Sequence, residues 1–174
     1  MTLSPSRDHL AWPFFSLQHT PWAERVLEFS TGLRVDHHNA DASCRSLVRA
    51  LGGAGLLAPC VAQKGADATS IDSRTLCLTR ELLAWHDGLA DFAFAMQGLG
   101  TGAISLAGAS ALRDAVLPKV ARGEWIAAFA LSEAEAGSDV GAMQCAARLD
   151  GVSYVIDGEK TWISNGGIAD VYTV

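Results

Sequence analysis

Phe129-Ala-Leu-Ser-Glu-Ala-Glu-Ala-Gly-Ser-Asp139 and, further on, Lys160-Thr-Trp-Ile-Ser-Asn-Gly-Gly-Ile-Ala-Asp170 are the stretches whose reading decides the fold of this chain. The first is the tail of an apolar run, Trp125 to Leu131, short enough for a strand, which empties into a loop of small and acidic residues. Between the two stretches, Met143, Cys145, Ala147 and Leu149 alternate with Gln144, Ala146, Arg148 and Asp150. That period of two predicts a strand. Asp150-Gly151 predicts a two-residue hairpin turn, and Val152, Tyr154 and Ile156 resume the alternation beyond it. Asp157-Gly158 marks another tight turn, leading into Thr161-Trp-Ile-Ser164 as further strand. From about Gly123 onward the chain reads as β.

Upstream the period is helical. Thr20-Pro21 predicts a helix start, cap then proline, with Trp22, Val26, Phe29 and Leu33 along one face. A second helix begins near Asp41, with Cys44, Leu47, Val48 and Leu51 inward and Gly52-Gly53 as its stop. Residues 59–70 read as a loop. A third helix carries Leu78, Leu82, Trp85 and Leu89, and the His86-Asp87 corner reads as a cap rather than a catalytic pair. Phe92 to Leu112 holds no charge and is long enough on paper for a bilayer, which takes ~20 residues. Gln97, Thr101, Ser105, Ser110 and several glycines argue against that, and Phe92, Met96, Leu99 and Leu106 predict the apolar face of a helix within a bundle. A fifth helix covers roughly Ser110 to Val120, with Pro118 breaking or kinking its end. The fold class expected is therefore α+β: an all-helical part over residues 1–122, then the first strands of an incomplete β-barrel-like domain over 123–174.

Composition narrows the function. With 174 residues, 49% apolar and 18% charged, the chain has enough apolar surface for a packed core. A net charge of −6 supplies no basic patch, which excludes nucleic acid or an anionic membrane as partner. Cys44, Cys60, Cys77 and Cys145 follow no metal or disulfide spacing and read as reduced thiols, and no secretory leader is legible at the N-terminus, so a cytoplasmic setting is expected. Adjacent His37-His38 point apart on a helix and read as a solvated helix end, not a metal site. Gly98-x-Gly100-x-Gly102 follows no strand, so a dinucleotide fingerprint fails its context.

The ordered set of strand, Ser132-Glu-x-x-Ala-Gly-Ser-Asp139, hairpin, Asp157-Gly-x-Lys-x-Trp-Ile-Ser-Asn-Gly166 and Ala169-Asp170 resembles the flavin-binding signatures of the acyl-CoA dehydrogenase family. The preceding Leu117-Pro-Lys-Val-Ala-Arg-Gly-Glu124 is similar to that family's lead-in to its first middle-domain strand. The resemblance implies a helical domain, a β-barrel-like middle domain and a second helical bundle, of which this chain carries the first and the start of the second. It implies FAD as cofactor and α,β-desaturation of an acyl-CoA thioester in fatty acid metabolism. It further implies an electron-transfer flavoprotein or similar acceptor and a homo-oligomer for the full-length enzyme. Serine stands at 132 and 164 where the family commonly has threonine, which keeps the hydroxyl; alanine at 134 replaces a proline.

On this resemblance a flavin needs phosphate donors, donors at the polar ring edge and an apolar wall. Gly137 and Ser138 are expected to cradle the pyrophosphate, since successive main-chain N–H groups beside a hydroxyl favour an anion. Ser132 is expected at the pyrimidine edge with Phe129 and Leu131 along its strand. Trp162 and Ile163 are expected against the ring, with Ser164 donating near N5. Ser138 doubles as a substrate contact near the CoA moiety. The family's base is a glutamate in the C-terminal bundle, so no catalytic residue is expected in this chain: Glu133 and Glu135 belong to the cofactor loop. The chain alone is expected to be inactive. The competing reading is a truncated non-catalytic homologue that binds a partner through its open sheet edge.

Overall fold

Three of the five α-helices among the described residues begin where a side chain relieves the unpaired N–H groups of the first turn. The computed structural model describes residues 4–62 and 70–174, so positions 63–69 of the expected loop lie outside the described residues. Helix α2 (Ala40–Gly53) starts under Asn39, whose side chain accepts the Ala42 N–H. Helix α3 (Ser73–His86) starts under Asp72, and α4 (Gly88–Ala107) under Asp87, which accepts from both Leu89 and Ala90. Asp87 is thus the cap expected at that corner, and His37 Nε2 sits 2.8 Å from its other oxygen. His37 and His38 lie in a turn before α2, not on a helix. Helix α1 (His19–Thr31) begins without a side-chain cap at Gln18, two residues ahead of the expected start, so Thr20 and Pro21 fall inside its first turn. Pro21 is tolerated there because the first N–H groups of a helix have no acceptor anyway. Helix α5 (Ser110–Ala121) runs through Pro118 rather than stopping at it.

Cys44, Leu47, Val48 and Leu51 of α2 are buried as their spacing predicts. Two expected faces are corrected. On α3 the buried stripe is Leu78, Thr79, Leu82 and Leu83, which leaves Trp85 52% exposed at its margin. On α4 two of the four expected residues do not face the core: Leu99 and Leu106 are 50% and 59% exposed, Phe92 packs at the core's margin, and the buried residues are Ala93, Phe94, Gln97, Gly100, Thr101, Ile104 and Ser105. The cause is the closeness of strand β1 (Ala127–Phe129) to this face. A Cβ on Gly100 would lie 2.7 Å from the Ala127 Cβ, so nothing larger than glycine fits.

The small face of α4 also carries a polar stripe at i, i+4, i+8 that bonds main-chain groups of the neighbouring 60–62 segment and of β1. Gln97 Oε1 accepts the Ala127 N–H at 3.0 Å, Thr101 Oγ1 donates to the Gln97 and Cys60 carbonyls, and Ser105 Oγ accepts from Ala62 N–H. No helix among the described residues is long and apolar enough to cross a membrane.

Strand β1 pairs in parallel with β4 (Val171–Thr173), Ala127 opposite Val171 and Phe129 opposite Thr173. It is three residues long, not the expected seven, because Ile126 N–H is taken by the Asp170 carboxylate and Leu131 turns away to a lysine. Strands β2 (Ala146–Asp150) and β3 (Ser153–Asp157) form a separate antiparallel hairpin, with Asp150 opposite Ser153. The turn residues are therefore Gly151 and Val152, one position later than expected. Gly151 has φ +63 and Val152 does not share that conformation, as a hairpin with glycine first requires. Thr161–Ser164 forms bend and turn rather than strand. Among the described residues no third strand joins the hairpin, and Leu149, Tyr154 and Ile156 stay 64%, 72% and 60% exposed. Ile126 and Ile168, by contrast, are part of the helical core around Phe94 and Leu82.

Candidate functional site

The loop after β1 and the segment after β3 meet at one ion pair. Glu133 and Lys160 side chains are 8% and 13% exposed, with Lys160 Nζ 2.8 Å from Glu133 Oε1. Glu133 also accepts the N–H groups of Gln144 (2.7 Å) and Cys145 (3.0 Å). Lys160 donates as well to the Leu131 carbonyl at 2.9 Å. One residue on, Thr161 N–H donates to the Ser132 carbonyl at 2.8 Å. The Gln144 N–H and the Lys160 ammonium, with Cys145 N–H adding to them and burial opposing, hold the Glu133 carboxyl down at about 2. Glu133 is thus committed as the acceptor of three hydrogen bonds.

The rest of the second segment divides sharply. Asn165, at φ +63, donates from its side chain to the Ala127 carbonyl and lies 3.5 Å from Cys44 Sγ. Ile168 is buried and its carbonyl accepts from Arg45, while Asp170 takes the Ile126 N–H. These residues dock the segment on the helices and β1. Trp162 is left 92% exposed at φ +58, a left-handed backbone that side chains adopt only at a cost. Ser164 is exposed, and among the described residues its hydroxyl has no protein partner.

The first loop is held in the same way. Glu133 and Ala136 exchange main-chain hydrogen bonds, Ala136 is buried, and Asp139 caps the turn that follows by accepting from Gly141 N–H. Gly137 and Ser138 are exposed between these anchors, and among the described residues neither N–H meets a protein acceptor. A Cβ on Gly137 meets nothing within 4 Å. Phe129, Leu131, Ser132 and Ile163 are half-buried. The structure therefore brings Leu131 and Ser132 next to Lys160 and Thr161, and leaves Gly137, Ser138, Trp162 and Ser164 uncommitted. Sequence reasoning missed Lys160, Asn165 and Asp170 as the residues that fasten the site; only their place inside the quoted segments pointed to them. Among the described residues, no cluster of three or more metal-ligating side chains exists.

Residues 128–174 match the family model "Acyl-CoA dehydrogenase, middle domain". The probable acyl-CoA dehydrogenase FadE25 of Mycobacterium tuberculosis is 41% identical over 103 residues, covering 59% of this chain and 26% of that protein. Glutaryl-CoA dehydrogenase from Mycobacterium smegmatis superposes with a TM-score of 0.74 at 28% identity, over 90% of this chain and 41% of that one. An acyl-CoA dehydrogenase complexed with FAD from Bacillus anthracis superposes with a TM-score of 0.69 at 30% identity, over 90% and 28% of the two chains. Helical layer, β segment and signature loops agree with these matches: residues 128–174 match the middle domain of acyl-CoA dehydrogenases, and the chain is similar in sequence and fold to members of that family. The match to FadE25 spans about a quarter of that relative's length.

Proposed function

We propose that this chain supplies the helical layer (residues 1–122) and the flavin-facing start of the middle domain (residues 123–174) of an FAD-dependent acyl-CoA dehydrogenase, working in the cytoplasm on an acyl-CoA thioester. The observation that carries the reading is the fastening of the two loops to each other through Thr161 N–H to Ser132 and Lys160 to Leu131 and Glu133, while the donors around them stay uncommitted. The donor set fits a flavin dinucleotide. The free N–H groups of Gly137 and Ser138, with the Ser138 hydroxyl, suit a pyrophosphate. Ser132 and Ser164 offer hydroxyls to a polar ring edge, and the Trp162 indole with Ile163, Phe129 and Leu131 offers apolar surface.

FAD, when bound, supplies the acceptor for the β-hydride of the thioester. With FAD bound, the Ser164 hydroxyl would donate a hydrogen bond to the hydride-accepting part of the ring, and Ser138 would help hold the CoA end. The α-proton goes to a glutamate on a second helical bundle, contributed outside these residues. An electron-transfer flavoprotein or similar acceptor and assembly as a homo-oligomer complete the proposal.

The test is the chain completed with the C-terminal remainder of the M. smegmatis glutaryl-CoA dehydrogenase. Retained yellow flavin that bleaches when acyl-CoA is added supports the reading. A chimera that folds but retains no flavin sinks it.

A further inference from the structure

We propose that Glu133 and Lys160 are a positioning pair, which sets the placement of the 132–138 loop relative to the 161–164 segment. The proposal rests on the flavin reading above, for which those are the two halves of the site. Three stretches of chain that share no strand pairing converge on this pair. Leu131 and Glu133 come from the first loop, Gln144 and Cys145 from the run before β2, and Lys160 from the run after β3. Met143 Sδ lies 3.4 Å from Lys160 Nζ. Both side chains are nearly sheltered from water, so each charge depends on the other and on main-chain partners for its solvation.

The arrangement is asymmetric, and that asymmetry predicts which replacements work. Glu133 is used as an acceptor three times, twice by main-chain N–H groups, so only a carboxylate in this place completes the set. Lys160 donates to a carboxylate, a carbonyl and a thioether, which another long cation can imitate. A charge-swapped Glu133→Lys/Lys160→Glu double variant therefore fails although the ion pair is formally kept: the Gln144 and Cys145 N–H groups would face a donor. The hairpin makes the pair's role heavier. β2 and β3 have no third strand beside them among the described residues, so the 143–145 end of the hairpin is tied to the molecule mainly through Glu133.

The experiment is amide exchange and FAD titration, followed by NMR, on the 174-residue chain and its variants Lys160→Met, Lys160→Arg and the charge-swapped double. Losing one partner of a sheltered pair is expected to speed exchange at Thr161, Gln144 and Cys145 by about tenfold or more, with amides of α4 unchanged. The same variant is expected to weaken FAD binding about tenfold, Lys160→Arg to restore both readouts to near wild type, and the double variant to restore neither. Wild-type exchange at these three amides in Lys160→Met overturns the positioning pair, as does full recovery in the charge-swapped double. If the wild-type chain gives no FAD-dependent change at all, the flavin reading falls instead. The exchange rates then still decide whether the pair positions these segments.

Discussion

The side chain of Gln97, wholly buried on α4, accepts the main-chain N–H of Ala127 at 3.0 Å and donates to the carbonyl of Ala93. A helix and the first strand of the β segment are joined by a single amide that spans both. The site stands on this joint, because Ala127 begins the strand that leads into the Ser132–Asp139 loop.

Replacing Gln97 with leucine keeps the volume and removes the acceptor. The Ala127 N–H is then buried without a partner, which costs about 1–3 kcal/mol. The urea midpoint should fall accordingly, and the Gln97→Glu variant, which keeps an acceptor, should lose less if its carboxyl is protonated. Equal stability of wild type and Gln97→Leu would show that Ala127 finds another acceptor.

Gly137→Val separates the fold from the ligand. Space around Gly137 is open and its φ is not left-handed, so valine should leave the unfolding midpoint within about 0.5 kcal/mol of wild type. Its branched side chain should nonetheless hold phosphates away from the N–H groups of 137 and 138 and abolish FAD binding. His37→Ala and His38→Ala, in the turn before α2, should leave flavin binding unchanged. Valine with wild-type flavin affinity would make the loop structural only.

Trp162 holds a left-handed backbone with its indole almost fully in water, a combination that benefits the isolated fold in no visible way. Asparagine tolerates that conformation better. Trp162→Asn should therefore stabilise the chain by about 0.5–1 kcal/mol while weakening flavin binding. Thermal unfolding and FAD titration of the variant read the two effects separately; a clear loss of stability would mean the indole packs within the fold.

Acid should loosen the site in a defined window. The Glu133 carboxyl is lowered from 4.5 to about 2, so its contribution to stability is complete above pH 4.5 and fades as pH falls toward 2. Asp72 acts in an overlapping window, from 3.8 down to about 2: burial pushes its carboxyl up, but hydrogen bonds from Arg74, Thr75 and His19 outweigh this and hold it at about 2. The measurement is the urea midpoint across this range. Glu133→Gln should flatten the acid limb in part, with the Asp72 share remaining, and should be less stable than wild type above pH 4.5. An unaltered acid limb in Glu133→Gln would remove Glu133 as its source.

Much of this was legible in residue patterns, and the misses have physical causes. The α2 face, the Asp87 cap and the existence of the hairpin followed from spacing and turn chemistry alone. The α4 face did not, because hydropathy favours Leu99 and Leu106, whereas the tight seat of Ala127 admits only small residues, and Gln97, Thr101 and Ser105 bond the Ala127 N–H, the Cys60 carbonyl and the Ala62 N–H. The hairpin register slipped by one because Asp150-Gly151 and Gly151-Val152 both satisfy a tight turn, and only strand pairing chooses between them. In the candidate site, Gly137, Ser138, Trp162 and Ser164 were singled out by their motif, and the structure leaves them exposed. The fastening residues Lys160, Asn165 and Asp170 act through long-range bonds to positions 127–133, which no local pattern reports.

The central claim is that the two loops together face a flavin, and the most direct test is an FAD titration of the 15N-labelled chain. The account predicts progressive shifts of the Gly137, Ser138 and Ser164 amides and of the Trp162 indole N–H, with α2 and the His37-His38 turn unmoved. Shifts confined to another surface, or none at saturating FAD in a folded chain, would contradict it.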